Sequence, residues 1–103
     1  MPTIDGGAVR RVLVACEAGM GSSVLLTSQL STRLAPYGVP VTHSAVNRLD
    51  AGEGDVVLCH AALAGRARQA APGVVVLPFQ LFMGDPAFDR LEAAIRDGDP
   101  LGG

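Results

Sequence analysis

The sequence predicts an α/β fold in which helices flank a parallel sheet. Four short apolar runs, rich in β-branched residues, alternate with helix-like segments, and this alternation is typical of parallel strands joined by right-handed crossovers. The runs are too short for helices and fit strands that are buried on both faces. With 103 residues and 49% hydrophobic content, the chain is large enough for one domain with its own core.

The first half of the chain is predicted to hold two strands and one helix. A strand at 11–15 ends at Cys16, and a helix follows at 22–34, where apolar side chains recur at helical spacing. A proline and a glycine stop this helix. The second strand spans 39–44, and 46–54 is rich in Gly, Asn and Asp and is predicted to be a connection.

The second half is predicted to hold two more strands and two more helices. In order, the segments are a strand at 55–59, a helix at 61–71, a strand at 74–77, a loop at 79–84 and a helix beginning at Asp85-Pro86. Pro78 closes the fourth strand because proline cannot donate to a sheet ladder. Pro86 fits the first turn of a helix, where no backbone donor is needed.

The two ends of the chain lack apolar periodicity. We therefore expect a flexible leader at 1–9, a folded domain at 10–96 and a flexible, Gly-rich tail at 97–103.

Polar and reactive side chains follow the predicted strands. Cys16, Ser44 and His60 each lie at or just past a strand end, and the loop at 79–84 follows another strand. Open α/β sheets bind ligands beyond the carboxyl ends of their strands. The sequence therefore places its chemistry on one rim of the sheet, with Cys16 as the candidate nucleophile.

The loop after Cys16 has the composition of an anion-binding cradle. Its members are Glu17, Ala18, Gly19, Met20, Gly21, Ser22 and Ser23. The glycines let backbone amides converge on one anion, and the serines can donate hydrogen bonds or cap the helix. The positive end of the helix favours a thiolate at Cys16, which suits phosphoryl transfer. The alternative is a buried cysteine that packs as a small hydrophobe beside ordinary turn glycines.

Three better-known phosphate loops do not fit this stretch. The nucleotide P-loop needs a lysine, and the chain contains none. The dinucleotide fingerprint needs a third glycine where the sequence has Ser-Ser-Val. A cysteine phosphatase of the C-x5-R kind needs arginine where Ser22 stands, and a loop without that guanidinium is poorly suited to hydrolysis.

Composition argues against several other classes of function. A net charge of −2 and a pI near 5.5 give no basic surface for nucleic acid or anionic lipid. No apolar run approaches the ~20 residues of a membrane span, and no signal peptide is visible, so we expect a cytoplasmic protein without membrane insertion. Two cysteines without a C-x-x-C pair predict free thiols and no metal or cofactor.

The stretch Cys16-Glu17-Ala18-Gly19-Met20-Gly21-Ser22-Ser23 resembles the phosphocysteine loop of the IIB components of the bacterial sugar phosphotransferase system (PTS), most closely the mannitol type within the lactose, ascorbate and galactitol IIB superfamily. Residues 42–49 resemble that group's Thr-Asn-Ser-Ala-Ile-Asn-Asn-Leu segment. Cys59-His60 resembles its Thr-His-Arg segment. The resemblance spans roughly 10–95, and these three segments are the motifs that carry it.

The resemblance implies a fold, an activity and partners. The fold is a three-layer, Rossmann-like or flavodoxin-like open sheet of four parallel strands in the order 2-1-3-4, and the EIIB domain is 10–96. The activity is that of a phosphotransferase working only with partners: Cys16 takes a phosphoryl group from a phosphohistidine of IIA and passes it to a sugar or sugar alcohol on membrane IIC. The protein is then peripheral to that transporter. A low-molecular-weight cysteine phosphatase and a regulatory domain that senses phosphorylation stay open as alternatives.

Two departures from the family pattern concern charge. Glu17 stands where the mannitol type has Asp, and Ala61 stands where the family has an arginine after the strand-end histidine. Arg48 or Arg66 are candidates to replace that cation, while a solvated helix face is the alternative for Arg66 and its neighbour Arg68.

The remaining candidates are two histidines, the second cysteine and a group of apolar side chains. His60 either donates a hydrogen bond to the phosphoryl group or caps a helix, His43 is expected at the surface, and Cys59 in the core. Several apolar side chains near the rim either form a docking ring around the phosphoryl site or cover the end of the sheet: Met20, Phe79, Leu81, Phe82 and Met83.

Overall fold

Strands and helices alternate along the chain, as the sequence predicts. The structure is a computed structural model that describes residues 2–17, 21–82 and 84–102, with only the backbone at 21 and 22. The strands are β1 (Thr3–Asp5), β2 (Arg11–Cys16), β3 (Val41–Ala45), β4 (Asp55–His60), β5 (Val75–Phe79) and β6 (Pro100–Gly102). The helices are α1 (Gly21–Leu34), α2 (Ala64–Ala70) and α3 (Pro86–Asp97).

The central sheet has four parallel strands in the order β3-β2-β4-β5. Counted along the four predicted apolar runs this is 2-1-3-4, so the predicted fold class and strand order are confirmed. Cys16 is in register with Ala45 of β3, and Ala15 is in register with Cys59 of β4. The carboxyl ends of these strands, including Cys16 and His60, therefore meet at one rim.

Each face of the sheet is covered by helices, which produces three layers. In β2, Val12 and Val14 pack with α1 and α3, whereas Leu13 and Ala15 pack with α2. This alternation follows from the two-residue period of a strand. Core side chains on the α1/α3 face include Leu26, Leu30, Leu34, Val56, Leu58, Phe88 and Leu91. Core side chains on the α2 face include Val57, Cys59, Ala64 and Ala67.

Several predicted boundaries shift by one to three residues; the second strand, for example, begins at Val41 rather than at 39. Pro78 does not close the fourth strand, because β5 continues through it to Phe79. β5 is an edge strand, and a proline is tolerated there when its missing donor faces away from the ladder. The predicted helix at 61–71 begins as a 3-10 turn over Ala61–Leu63, and α2 itself starts at Ala64.

The chain ends pair with each other, which differs from the expected flexible leader at 1–9 and tail at 97–103. β1 and β6 form a two-stranded antiparallel sheet, with Ile4 opposite Leu101. Leu101 is buried and belongs to the core on the α3 side, and Ile4 packs against this core. Neither three-residue strand has a sequence pattern of its own, and the pairing joins segments from opposite ends of the chain.

Gly6 lies directly against the last turn of α3. A Cβ built on Gly6 would overlap the backbone carbonyl of Ala94, whereas one built on Gly7 meets nothing within 4 Å. The backbone N–H of Gly6 also donates to the carbonyl of Asp99 at 2.7 Å, which fixes this approach.

We expect Gly6→Ala to lower the free energy of unfolding by about 2 kcal/mol, because backbone must move to admit the methyl group. Gly7→Ala is the matched control and should change it by less than about 0.5 kcal/mol. Urea unfolding of the three proteins measures both effects. Equal stability of the two variants would contradict the close packing of the leader on α3.

Candidate functional site

Cys16 is the last residue of β2 and lies at the carboxyl rim of the sheet. Its side chain is 7% exposed, and its thiol donates to the backbone carbonyl of Ser44 on β3, with Sγ 3.6 Å from the oxygen. Strand alternation directs the thiol to the α1/α3 face, as for Val14. The thiol is thus held in one orientation at a strand end, as a nucleophile needs to be.

α1 begins at Gly21, only five residues after Cys16. The first backbone amides of a helix have no intrahelical acceptor and are therefore available to bind an anion. Ser23 is buried, and its carbonyl accepts from the Thr27 hydroxyl at 2.7 Å. The other members of the predicted cradle lie outside the described residues: Ala18, Gly19 and Met20 entirely, and Gly21 and Ser22 beyond their backbone.

An ion pair joins the residue after the thiol to α2. Oε1 of Glu17 accepts from Nη1 of Arg66 at 3.0 Å, and both side chains are more than half exposed. One of the two arginines singled out in the sequence therefore reaches the Cys16 loop, while Arg68 lines a cleft beside β5. Arg48 is exposed in the 3-10 turn Val46–Arg48 that follows β3.

His60 is the last residue of β4, and β4 is the neighbour of β2, which ends at Cys16. Its Nδ1 accepts from the backbone N–H of Ala62 at 3.1 Å, so the ring caps the turn that leads into α2. Because Nδ1 is an acceptor, the neutral ring carries its proton on Nε2. The capping interpretation is therefore observed, and Nε2–H supplies one hydrogen-bond donor near the rim.

The other two candidates from the sequence lie where they were expected. His43 is exposed on the edge strand β3. Cys59 has no exposed surface, and burial raises the pKa of its thiol to about 11, with Arg68 opposing the rise. A thiol that remains protonated at neutral pH is a poor nucleophile, so Cys59 serves as a core residue.

The apolar side chains near the rim divide into two groups. Phe79 is buried and Phe82 is partly buried, and their rings contact each other and His60 at centroid distances of 5.0–6.0 Å. They cover the end of the sheet. Leu81 is 58% exposed, and Val24 and Leu25 near the start of α1 are each 53% exposed. Met20 and Met83 lie outside the described residues.

Asp85 organises the loop between β5 and α3, a role that its place in the sequence does not indicate. Its Oδ1 accepts from the N–H of Ala87, and its Oδ2 accepts from the N–H groups of Gln80 and Leu81, at 2.8–3.0 Å. These bonds, first that from Ala87, hold the pKa of Asp85 below its ordinary value. The signal was the Asp-Pro helix start, which identifies a cap but not its two loop contacts.

Two clefts in the described part of the chain lie away from Cys16. One cleft of about 640 Å³ runs along the outer side of β5 between Arg68 and Arg90, and another of about 690 Å³ lies near the amino ends of the strands. Neither cleft is lined by Cys16 or His60. In the described ranges no three His, Cys, Asp or Glu side chains converge as metal ligands.

The helices within those same ranges are all too short or too polar to cross a bilayer.

Comparison with known proteins gives one family and a consistent set of relatives. Residues 11–92 match the family described as PTS system, lactose/cellobiose specific IIB subunit. The chain is 38% identical over 90 residues to the PTS system mannitol-specific EIICBA component of Vibrio cholerae, covering 85% of this chain and 14% of that protein. It is 33% identical over 85 residues to the mannitol-specific EIICB component of Geobacillus stearothermophilus, covering 81% of this chain and 18% of that protein.

A third relative is the mannitol-specific EIICB component of Bacillus subtilis, 33% identical over 86 residues, which are 82% of this chain and 18% of that protein. The chain thus spans less than one fifth of the length of these curated relatives.

Proposed function

This chain belongs to the family of IIB subunits of the sugar phosphotransferase system, and we propose that it is a phosphocarrier in which Cys16 is phosphorylated. The observation that carries the proposal is the position of the Cys16 thiol. It ends β2 at the carboxyl rim, is oriented by the Ser44 carbonyl, and immediately precedes the loop that leads into α1. The proposed carrier function lies in residues 10–96, against which the paired chain ends β1 and β6 pack.

The proposed chemistry consists of two phosphoryl transfers. In the first, the Cys16 thiolate attacks the phosphorus of a phosphohistidine on a IIA partner, so that an S–P bond forms and the N–P bond breaks, returning its electron pair to the imidazole. In the second, a hydroxyl of a sugar or sugar alcohol on a membrane IIC partner attacks the phosphorus. An O–P bond forms, the S–P bond breaks, the hydroxyl proton is released to solvent, and the thiolate is regenerated.

The loop Glu17–Ser23 is proposed to bind the phosphoryl group. Backbone amides at the start of α1 would stabilise its equatorial oxygens without a metal or cofactor. Nε2–H of His60, on the neighbouring strand end, is an auxiliary donor in this proposal. Ser22 occupies the position where a cysteine phosphatase has arginine, so the loop holds the phosphoryl group without promoting its hydrolysis.

Partner proteins fit this rim better than a small substrate acting alone. The thiol lies away from both large clefts, and Val24, Leu25 and Leu81 expose apolar surface around the start of α1 and the loop before α3. Surface of this kind favours contacts between proteins. The mannitol-specific names of the relatives suggest a IIA and a IIC of that type, and a cytoplasmic position beside the transporter.

The test compares donor-dependent phosphorylation with independent hydrolysis. With phosphoenolpyruvate, the general phosphotransfer proteins and a mannitol-type IIA, we expect the intact mass to rise by one phosphoryl group. Membranes that contain the matching IIC and its sugar should then remove that group. Turnover of an aryl phosphate by the chain alone would instead support a phosphatase, and a phosphoryl group that no IIC and sugar remove would support a regulatory domain.

A further inference from the structure

We propose that Arg66 is a positioning residue that holds the Glu17 carboxylate away from the phosphoryl site on Cys16. The inference rests on the proposed function and concerns charge balance at that site. The observation behind it is the 3.0 Å ion pair between Arg66 on α2 and Glu17, the residue directly after the thiol.

The two side chains point to opposite faces of the sheet. By strand alternation Cys16 lies on the face of Val12 and Val14, towards α1 and α3, whereas the ion pair with Arg66 places the Glu17 carboxylate beside α2. The contact with Arg66 keeps the carboxylate on that second face. Consecutive Cα atoms are only about 3.8 Å apart, so a released Glu17 side chain could turn back to the thiol without any movement of β2.

The position of the Glu17 carboxylate affects the transfer of a phosphoryl group to Cys16. A phosphoryl group brings a charge of about −1.5 to −2 at neutral pH, and like charges at contact distance repel. A carboxylate adjacent to the nucleophile would therefore oppose phosphoryl transfer to Cys16. Arg66 reduces this opposition by fixing and partly neutralising the carboxylate.

No other arginine is seen to make this contact in the described part of the chain. Three arginines pair with other carboxylates: Arg11, Arg33 and Arg96. Arg10 lies against Gly54, and Arg68 and Arg90 line the cleft beside β5. Arg48 lies near the same rim, after β3, and makes no hydrogen bond or ion pair to Glu17 there. Arg48 and Arg68 therefore offer matched control positions.

The test measures the rate at which the chain accepts phosphoryl from phosphorylated mannitol-type IIA. Arg66→Gln should slow acceptance about fivefold, the effect of one like-charge contact in water, while Arg48→Gln and Arg68→Gln should stay near wild type. Arg66→Lys should restore most of the rate. The ratio between wild type and Arg66→Gln should shrink at 1 M salt, where the Debye length is about 3 Å.

A double variant distinguishes positioning from direct contact with phosphorus. If Arg66 acts through Glu17, Arg66→Gln should have no further effect in a Glu17→Gln background. A loss that persists in the double variant, or an Arg66→Gln rate equal to wild type, would overturn the inference. Thermal unfolding should be unchanged in all these variants, because exposed ion pairs add little stability. If wild type accepts no phosphoryl group, the proposed function itself fails, and the inference with it.

Discussion

Replacing Cys16 with serine should lower the rate of phosphoryl acceptance from IIA by at least about a thousandfold. A serine hydroxyl is far less ionised than a thiol at neutral pH, and no side chain described at this strand end is placed to take its proton. The hydroxyl can keep the hydrogen bond to the Ser44 carbonyl, so the fold should be retained. Intact mass after incubation with the donor proteins measures the loss.

Cys59→Ala is the matched control for this prediction. Cys59 is the second cysteine, buried on the α2 face with a raised pKa, and alanine keeps a small apolar side chain there. The variant should accept one phosphoryl group at nearly the wild-type rate. Loss of acceptance in a folded Cys59→Ala protein, together with retention in Cys16→Ser, would show that the nucleophile is misassigned.

The second large effect is expected at Asp85. Asp85→Ala removes the acceptor for three backbone N–H groups and should lower the free energy of unfolding by about 3 kcal/mol. The Asp85→Asn side chain has one acceptor oxygen and can keep only the helix bond or the loop bonds. Its free energy of unfolding should therefore lie between those of wild type and Asp85→Ala. Asp89→Ala is the control, since Asp89 is an exposed first-turn residue of α3 and should cost less than about 1 kcal/mol.

The contribution of Asp85 should depend on pH in a defined direction. Backbone hydrogen bonds, first that from Ala87, lower the folded-state pKa below the ordinary value of 3.8. The stabilisation is therefore fully present above about pH 4 and is lost as the pH falls through the folded pKa. The stability difference between wild type and Asp85→Ala, measured by urea unfolding, should shrink below pH 4. A difference that stayed constant down to pH 2 would contradict this assignment.

The central sheet was predictable because its signals are local. Each buried strand is a continuous apolar run, and the Asp85-Pro86 start of α3 has a recognisable cap. The error at Pro78 arose because a proline is acceptable only on an edge strand, and the edge position of β5 depends on the whole topology. The pairing of β1 with β6 was missed because two three-residue strands carry no pattern.

The site was predictable from the sequence only in part. The resemblance based on the Cys16 loop is confirmed by the family match over 11–92, and the structure places Cys16 and His60 at neighbouring strand ends. The roles assigned to the loop residues remain predictions. The contact between Glu17 and Arg66 joins residues 49 apart, so no local pattern could distinguish it from a solvated helix face.

The most direct test of the central claim is ³¹P NMR of the wild-type chain after phosphorylation by IIA. Phosphorus bonded to sulfur, nitrogen or oxygen resonates at distinct chemical shifts, so one spectrum identifies the atom that carries the phosphoryl group. We predict a single resonance of an S–P bond that is absent from Cys16→Ser. A resonance of an N–P bond, as on His43 or His60, or of an O–P ester, as on Ser22 or Ser23, would contradict the account.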